Sequence, residues 1–103
     1  MQRGELWWAN LPQPVGPSPV ILISRDRAIQ VRDAVTVAQV TSTIRKIPVE
    51  VEVGKDEGLD HASVINCDVL LTIPKRLLER RLGILPAAKR QALDSALRFA
   101  LGL

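Results

Sequence analysis

Cysteine, tyrosine and histidine are almost missing from this chain of 103 residues, which has one Cys, no Tyr and one His. With Cys67 alone there is no intrachain disulfide and no thiolate metal cluster, and a reducing compartment suits it. With His61 alone, a nuclease built on two histidines as acid and base is excluded within one chain. No HExxH, GxSxG or Walker-type loop occurs, and no cofactor or metal is expected. No apolar run approaches the roughly 20 residues that span a bilayer, so no membrane role is expected. The opening segment carries Glu5 and no long apolar core, unlike a secretory signal, and a cytoplasmic, bacterial-type protein is the expectation.

What remains is a composition able to fold. Hydrophobic residues make up 47% of the chain and charged residues 24%, the balance of a globular domain rather than a disordered one. The length points to one domain over residues 1–103, with a modest core. Lys and Arg number 14 against 11 Asp and Glu, for a net charge of +3. That surplus permits nucleic-acid binding without demonstrating it. Ten of the cations are Arg, the residue better shaped for bidentate phosphate contacts.

The stretch from Ala34 to Val53 organises the rest. Val35, Val37 and Gln39, then Val49, Val51 and Val53, alternate with smaller or polar residues in the period of half-buried strands. The pattern suggests a hairpin-like pair of strands. Its corner, Thr41-Ser42-Thr43-Ile44-Arg45-Lys46, offers hydroxyls and then two cations. Such a corner can grip a phosphodiester backbone. On its own it also reads as a polar turn with solvated charges.

Gly4 to Asn10 forms a first strand, in which Trp7 and Trp8 point to opposite faces. One ring enters the core, and the other is left for a partner, a dimer seam or a ligand. Leu11 to Pro19 holds four of the seven prolines and is expected to be a connector, neither helix nor central strand. Val20 to Ile23 is a strand buried on both faces. Ser24 is placed to cap a short helix, with Arg25 and Arg27 exposed beside it. Gly54 to His61 is a solvated polar turn, because Asp56, Glu57 and Asp60 lack the spacing of a calcium loop. Ala62 to Ile73 is a strand pair or one long bent strand. Burying Asp68 there without a partner is costly, so a partner or a cleft is expected for it. Pro74 to Arg81 reads as a short helix with Pro at its first position, and Leu82 to Leu85 as a last strand. Pro86 to Leu101 is the firmest helix, with Leu93, Ala96, Leu97, Ala100 and Leu101 on one stripe and Gly102 at its end. A small antiparallel β-barrel with a terminal helix follows from this order.

Several segments together resemble the MazF/PemK (Kid-like) family of toxin endoribonucleases. RGELWWANL (Arg3 to Leu11) is similar to that family's RGEIWWVDL strand, and SPVILIS (Ser18 to Ser24) to its RPVLVIS strand. VAQVTSTIR (Val37 to Arg45) resembles its V-x-P-[LV]-T-[ST] strand end. SVINCDVLLTIPK (Ser63 to Lys75) resembles its S-V-[VI]-x-C-D strand, and ALRFALGL its closing helix. The resemblance spans nearly the whole chain. It implies a mainly β fold with helices, a PemK-like barrel related to SH3 barrels. It implies a homodimer and metal-independent cleavage of single-stranded RNA (mRNA, tRNA or rRNA) through attack by the 2′-hydroxyl. It also implies a cognate antitoxin with an acidic, disordered tail.

Carried over residue by residue, the resemblance assigns Thr41 to the scissile phosphate, with Ser42 beside it, and gives Asp68 the family's aspartate position, a general base in some members. Two positions depart from the pattern. Ser18 stands where the family has an arginine before Pro-Val, and Asn66 stands where some members carry another. Arg25, Arg45 and Lys46 are the cations nearest in sequence that can compensate, and together with Ser18, Ser42 and Asn66 they complete the RNA-contacting set. The alternative is a weakened or inactive family member that binds RNA or an antitoxin. A third option, a barrel toxin that poisons DNA gyrase, fits the Thr-Ser corner less well.

Overall fold

The computed structural model describes residues 1–103. The chain runs β1 (Glu5–Asn10), β2 (Pro17–Leu22), α1 (Asp26–Val31), β3 (Ala34–Thr41), β4 (Glu50–Val53), β5 (Ser63–Pro74), β6 (Leu78–Ile84) and α2 (Ala87–Leu101). Single 3₁₀ turns at Lys55–Glu57 and Lys75–Leu77 precede β5 and β6. The six strands form one curled antiparallel sheet, a half-barrel in the order β4-β5-β3-β2-β1-β6.

Both faces of this sheet are covered. In β2, Val20 and Leu22 join one core cluster and Ile21 joins the other, the mark of a strand buried on each side. One cluster gathers Leu6, Ile21, Val51 and Ile65 under Leu93 and Ala96 of α2. Leu93 is fully buried, and that burial is worth roughly 2–3 kcal/mol. The other cluster packs Val20, Leu22, Val35 and Val37 against Ile29 of α1. Gly102 ends α2 in the left-handed conformation, its N–H reaching the Arg98 and Phe99 carbonyls, as its position after the apolar stripe suggests. Leu97 and Ala100 are partly buried on that stripe, but Leu101 is exposed because the helix overruns the sheet there.

Several sequence expectations need correction. β3 and β4 do not pair with each other: both lie against β5, which inserts between them. Ser24 caps no helix, because its hydroxyl accepts the Thr36 N–H at 2.8 Å and Arg25 takes the N-cap position. Pro74 to Arg81 yields only the single 3₁₀ turn, since pairing with β1 draws Leu78 onward into β6. Pro86 precedes α2 as its N-cap. The prolines of the connector enter a strand: Pro17 and Pro19 begin β2, an interior strand, but along this half β2 pairs only with β1. Glu57 is not solvated. It is buried, accepts the Gly54 N–H at 2.7 Å and pairs with Lys89 of α2 at 3.1 Å, which fixes the 54–58 turn to the terminal helix.

Trp7 and Trp8 do point apart. Trp7 packs against the α1-side core, and its indole N–H donates to Glu5 Oε1 at 3.1 Å. The same Glu5 oxygen accepts the Gln2 N–H at 3.0 Å, and Oε2 accepts Arg81 Nε at 3.0 Å. Burial pushes the Glu5 carboxyl up. The hydrogen bonds from Trp7, Gln2 and Arg81, with the N-terminal charge, outweigh burial and hold it below the ordinary glutamate value. A lowered folded-state value stabilises the fold above the unfolded-state value and loses that contribution as the pH falls through the folded one. Glu5→Gln is therefore expected to lower the melting temperature at neutral pH. The gap to wild type should close on acidification below the ordinary glutamate range. A gap independent of pH in thermal melts would show that the Glu5 charge does not matter.

Candidate nucleic-acid interface

Where β2 loses β3 as a neighbour, the sheet splays. β2 and β3 are paired only at Val20–Gln39, Ile21–Ala38 and Leu22–Val37. Beyond Val20, the Pro17–Pro19 half of β2 and the Val40–Thr41 end of β3 form two walls of a cleft of about 400 Å³. The 58–61 segment and residues Arg80 and Leu82 of β6 complete it. Val40, Leu59 and Leu82 give it an apolar part, and hydroxyls, an imidazole and a guanidinium give it a polar one.

Thr41, Ser42 and Ser18 come together here. Thr41 is half-buried at the end of β3, and its Oγ1 accepts the Thr43 N–H at 3.2 Å. That bond leaves the hydroxyl proton free to donate to a ligand oxygen. Ser18 lines the cleft, but its Oγ is buried without a hydrogen-bond partner, because Ser18 pairs with Ala9 and so lies on the face opposite Trp8.

The other sequence candidates do not line this cleft. Arg25 is exposed at the start of α1. Arg45 and Lys46 are exposed, and their backbone N–H groups both donate to Glu50 Oε1 at 2.9 Å. That carboxylate folds the corner back onto β4 and accounts for how Lys46 is held at φ 57°.

Asn66 and Asp68 belong to a bulge in β5. Ala38 pairs with Leu70 and Gln39 with Asn66, so Cys67 to Val69 have no partners in β3. Asn66 Oδ1 accepts the Asp68 N–H at 2.9 Å and braces the bulge. Asp68 was expected to have a partner or face a cleft; it makes no side-chain ion pair, does not line this cleft, and is exposed in the bulge. Cys67 points inward, and burial, with the Asp68 charge beside it, pushes its thiol up to about 11. It is an inert core residue.

Sequence reasoning missed three charged or titratable residues of the cleft: Asp60, His61 and Arg80. Asp60 and His61 looked like part of a solvated turn, and Arg80 like the polar face of a helix. The usable signal was strand alternation in Leu78 to Ile84, which sends Arg80 and Arg81 to opposite faces. The second tryptophan, Trp8, which the opening strand left for a partner, a dimer seam or a ligand, also lines the cleft.

Residues 2–101 match the model of the family described as PemK-like, MazF-like toxin of type II toxin-antitoxin system. The chain belongs to that family. Among its relatives is the probable endoribonuclease MazF5 of Mycobacterium tuberculosis. The two are 36% identical over 100 residues, covering 95% of this chain and 90% of the relative. The fold matches the solved M. tuberculosis toxin MazF-mt6 with a TM-score of 0.89 and 34% identity, over 96% of this chain and 97% of that one. A mycobacterial endoribonuclease solved in complex with its cognate antitoxin matches with a TM-score of 0.88 and 27% identity, over 100% of this chain and 96% of that one. The small half-barrel with a terminal helix is thus the PemK-like fold that the sequence motifs implied.

Proposed function

We propose that this protein is the toxin of a type II toxin–antitoxin pair, a metal-independent endoribonuclease that cleaves single-stranded RNA in the splayed cleft between β2 and β3. The observation that carries this is the meeting of Thr41, Ser42 and Ser18 in one cleft, in a chain whose similar relatives are named endoribonucleases. The cleft has the chemistry for a phosphodiester. Hydroxyls donate to nonbridging phosphate oxygens, and Trp8 offers an aromatic face on which an unstacked base can lie.

The reaction needs no external reactant. The ribose 2′-oxygen bonds to phosphorus while the bond from phosphorus to the 5′-oxygen breaks. The 2′-hydroxyl loses its proton and the departing 5′-oxygen gains one. The products are a 2′,3′-cyclic phosphate and a 5′-hydroxyl. Asp60 and His61 are the cleft's proton-transfer groups, and Thr41 stabilises the charge that builds on the phosphate. Asp68 does not line this cleft.

The reading includes a second copy of the chain. Phe99, Leu101 and Leu103 leave an exposed apolar tail beyond the α2 core contact, the kind of surface a dimer seam covers. It also includes an antitoxin whose acidic tail competes with RNA for the same donors, and a cytoplasmic site of action, where RNA is found.

Purified protein mixed with a pool of single-stranded RNA in EDTA is expected to make discrete cuts that leave 5′-hydroxyl ends. Ser18 in place of an arginine favours one other reading, a relative that binds RNA or antitoxin without cutting. Folded, antitoxin-free protein that binds RNA but makes no cuts would establish that reading in place of the nuclease.

A further inference from the structure

The family resemblance calls for an arginine at position 18, and this chain has a serine there. We propose that Arg80 is the phosphate-gripping cation of the cleft, supplying from β6 the charge that position 18 lacks. The proposal rests on the RNA-binding reading of the cleft given above.

Register places Arg80 there. Trp8 of β1 stands opposite Pro19 of β2 on one side and opposite Arg80 of β6 on the other. Directly paired residues share a face, so Pro19, Trp8 and Arg80 form one row across three strands. Two strand spacings separate β6 from β2, roughly 10 Å, a gap that a long arginine side chain largely covers. Arg80 can therefore bring its guanidinium toward a phosphate held at the Thr41–Ser42 end of β3.

Pairing separates the two neighbouring arginines. Arg81 sits opposite Trp7 on the other face and is engaged by Glu5 at 3.0 Å. Arg3 is engaged by Asp94 at 2.9 Å and Lys89 by Glu57 at 3.1 Å. Lys75 donates to the Ile29 carbonyl. Arg80 has no ion pair and no side-chain hydrogen bond, and no other Lys or Arg lines the cleft. Asp60 is the one carboxylate facing it across the cleft, and His61 is the remaining titratable group. A guanidinium kept free of partners, in a cleft whose other donors are the neutral hydroxyls at the end of β3, matches what a phosphate takes up: a planar fork with fixed charge and neutral donors.

The test compares wild type, Arg80→Ala, Arg80→Gln and the double variant Ser18→Arg/Arg80→Ala in two assays. One is cleavage of single-stranded RNA in EDTA. The other is binding of a fully 2′-O-methylated oligonucleotide, which cannot be cut, across a salt series. Arg80 makes no contact that the fold needs, so melting temperatures are expected to stay level. Removing Arg80 is expected to lower kcat by about 100-fold or more, as for other charge-stabilising donors, and Ser18→Arg should regain at least about 10-fold of it. The slope of log affinity against log salt should flatten by about 0.7, one phosphate contact on a single strand. Arg80 variants that cut and bind like wild type overturn the proposal. Wild type that binds but never cuts removes the nuclease reading, and the salt slope alone then decides Arg80. Wild type that neither cuts nor binds removes both.

Discussion

Thr41→Ala is expected to lower the rate of RNA cleavage by about 10²–10³-fold and to move the melting temperature by only a few degrees. The separation of these effects follows from how Thr41 is held. Its backbone is fixed by pairing with Val64 of β5, so the strand end stays in place when the side chain is cut back. The one bond its hydroxyl makes within the protein is acceptance of the Thr43 N–H at 3.2 Å, at an exposed bend. Losing such a bond costs on the order of 1 kcal/mol or less. The hydroxyl proton has no partner in the fold, and in the function proposed above it donates to the phosphate, where charge grows during attack. Thr41→Ser keeps that donor and is expected to retain most of the activity. Single-turnover cleavage at saturating protein would read this directly. An unchanged rate in Thr41→Ala would take Thr41 out of the mechanism.

Gly58→Ala is expected to destabilise the protein by roughly 3 kcal/mol or more, measured as a lower urea midpoint. Gly58 adopts φ +93°, and a Cβ there would lie 2.0 Å from the Leu82 carbonyl oxygen. The contact is mutual, since a Cβ on Gly83 would lie 2.2 Å from the Glu57 carbonyl oxygen. Two backbones thus touch where neither position has room for a side chain. Gly102→Ala is the natural control. It shares a positive φ of 72° but meets nothing within 4 Å, and should cost only about 1 kcal/mol. Equal losses for the two variants would mean that backbone conformation, not the close approach, sets the cost at Gly58. The same contact fixes the start of the 58–61 segment beside Leu82 at the cleft, so the Gly58 variant should also cut RNA more slowly than its stability alone explains.

Much of this fold could be read from the alternation of apolar residues. The Val20 to Ile23 run declared a strand covered on both sides, and Leu93 and Ala96 declared the helix that covers one of them. Strand existence depends on local pattern, but strand partnership does not. Nothing in Ala34 to Val53 says that β5 will separate its two halves, because that choice is made by Asn66, Ile65 and Val64, which β3 and β4 both engage. Thr41, Ser42 and Ser18, which the structure gathers in the cleft, were singled out through the polar corner and the motif resemblance. Arg80 was not, because Pro74 and the following Lys-Arg-Leu-Leu suggest a helix, and on a helix Arg80 and Arg81 share a solvated face. Only the β-pairing with Trp8 and Trp7 splits them. The exposure of Asp68 was hidden for a related reason: a bulge of unpaired residues cannot be seen in a run that reads as one strand.

The two prolines at the mouth of the cleft decide what can seal it. Along β2 the main chain turns alternately toward β1 and β3. The Ile23 N–H bonds to Thr36 of β3, while the Leu22 carbonyl bonds to Gly4 on the opposite side. Counting back from Ile23, the positions that turn toward the open side are Pro19 and Pro17, and proline has no N–H. This rim therefore presents carbonyl oxygens alone. An edge of acceptors cannot be zipped by a strand from another chain, which needs donors and acceptors in alternation. The half-barrel can thus keep a gap in its sheet without inviting strand-to-strand aggregation, and any occupant must be held by side chains.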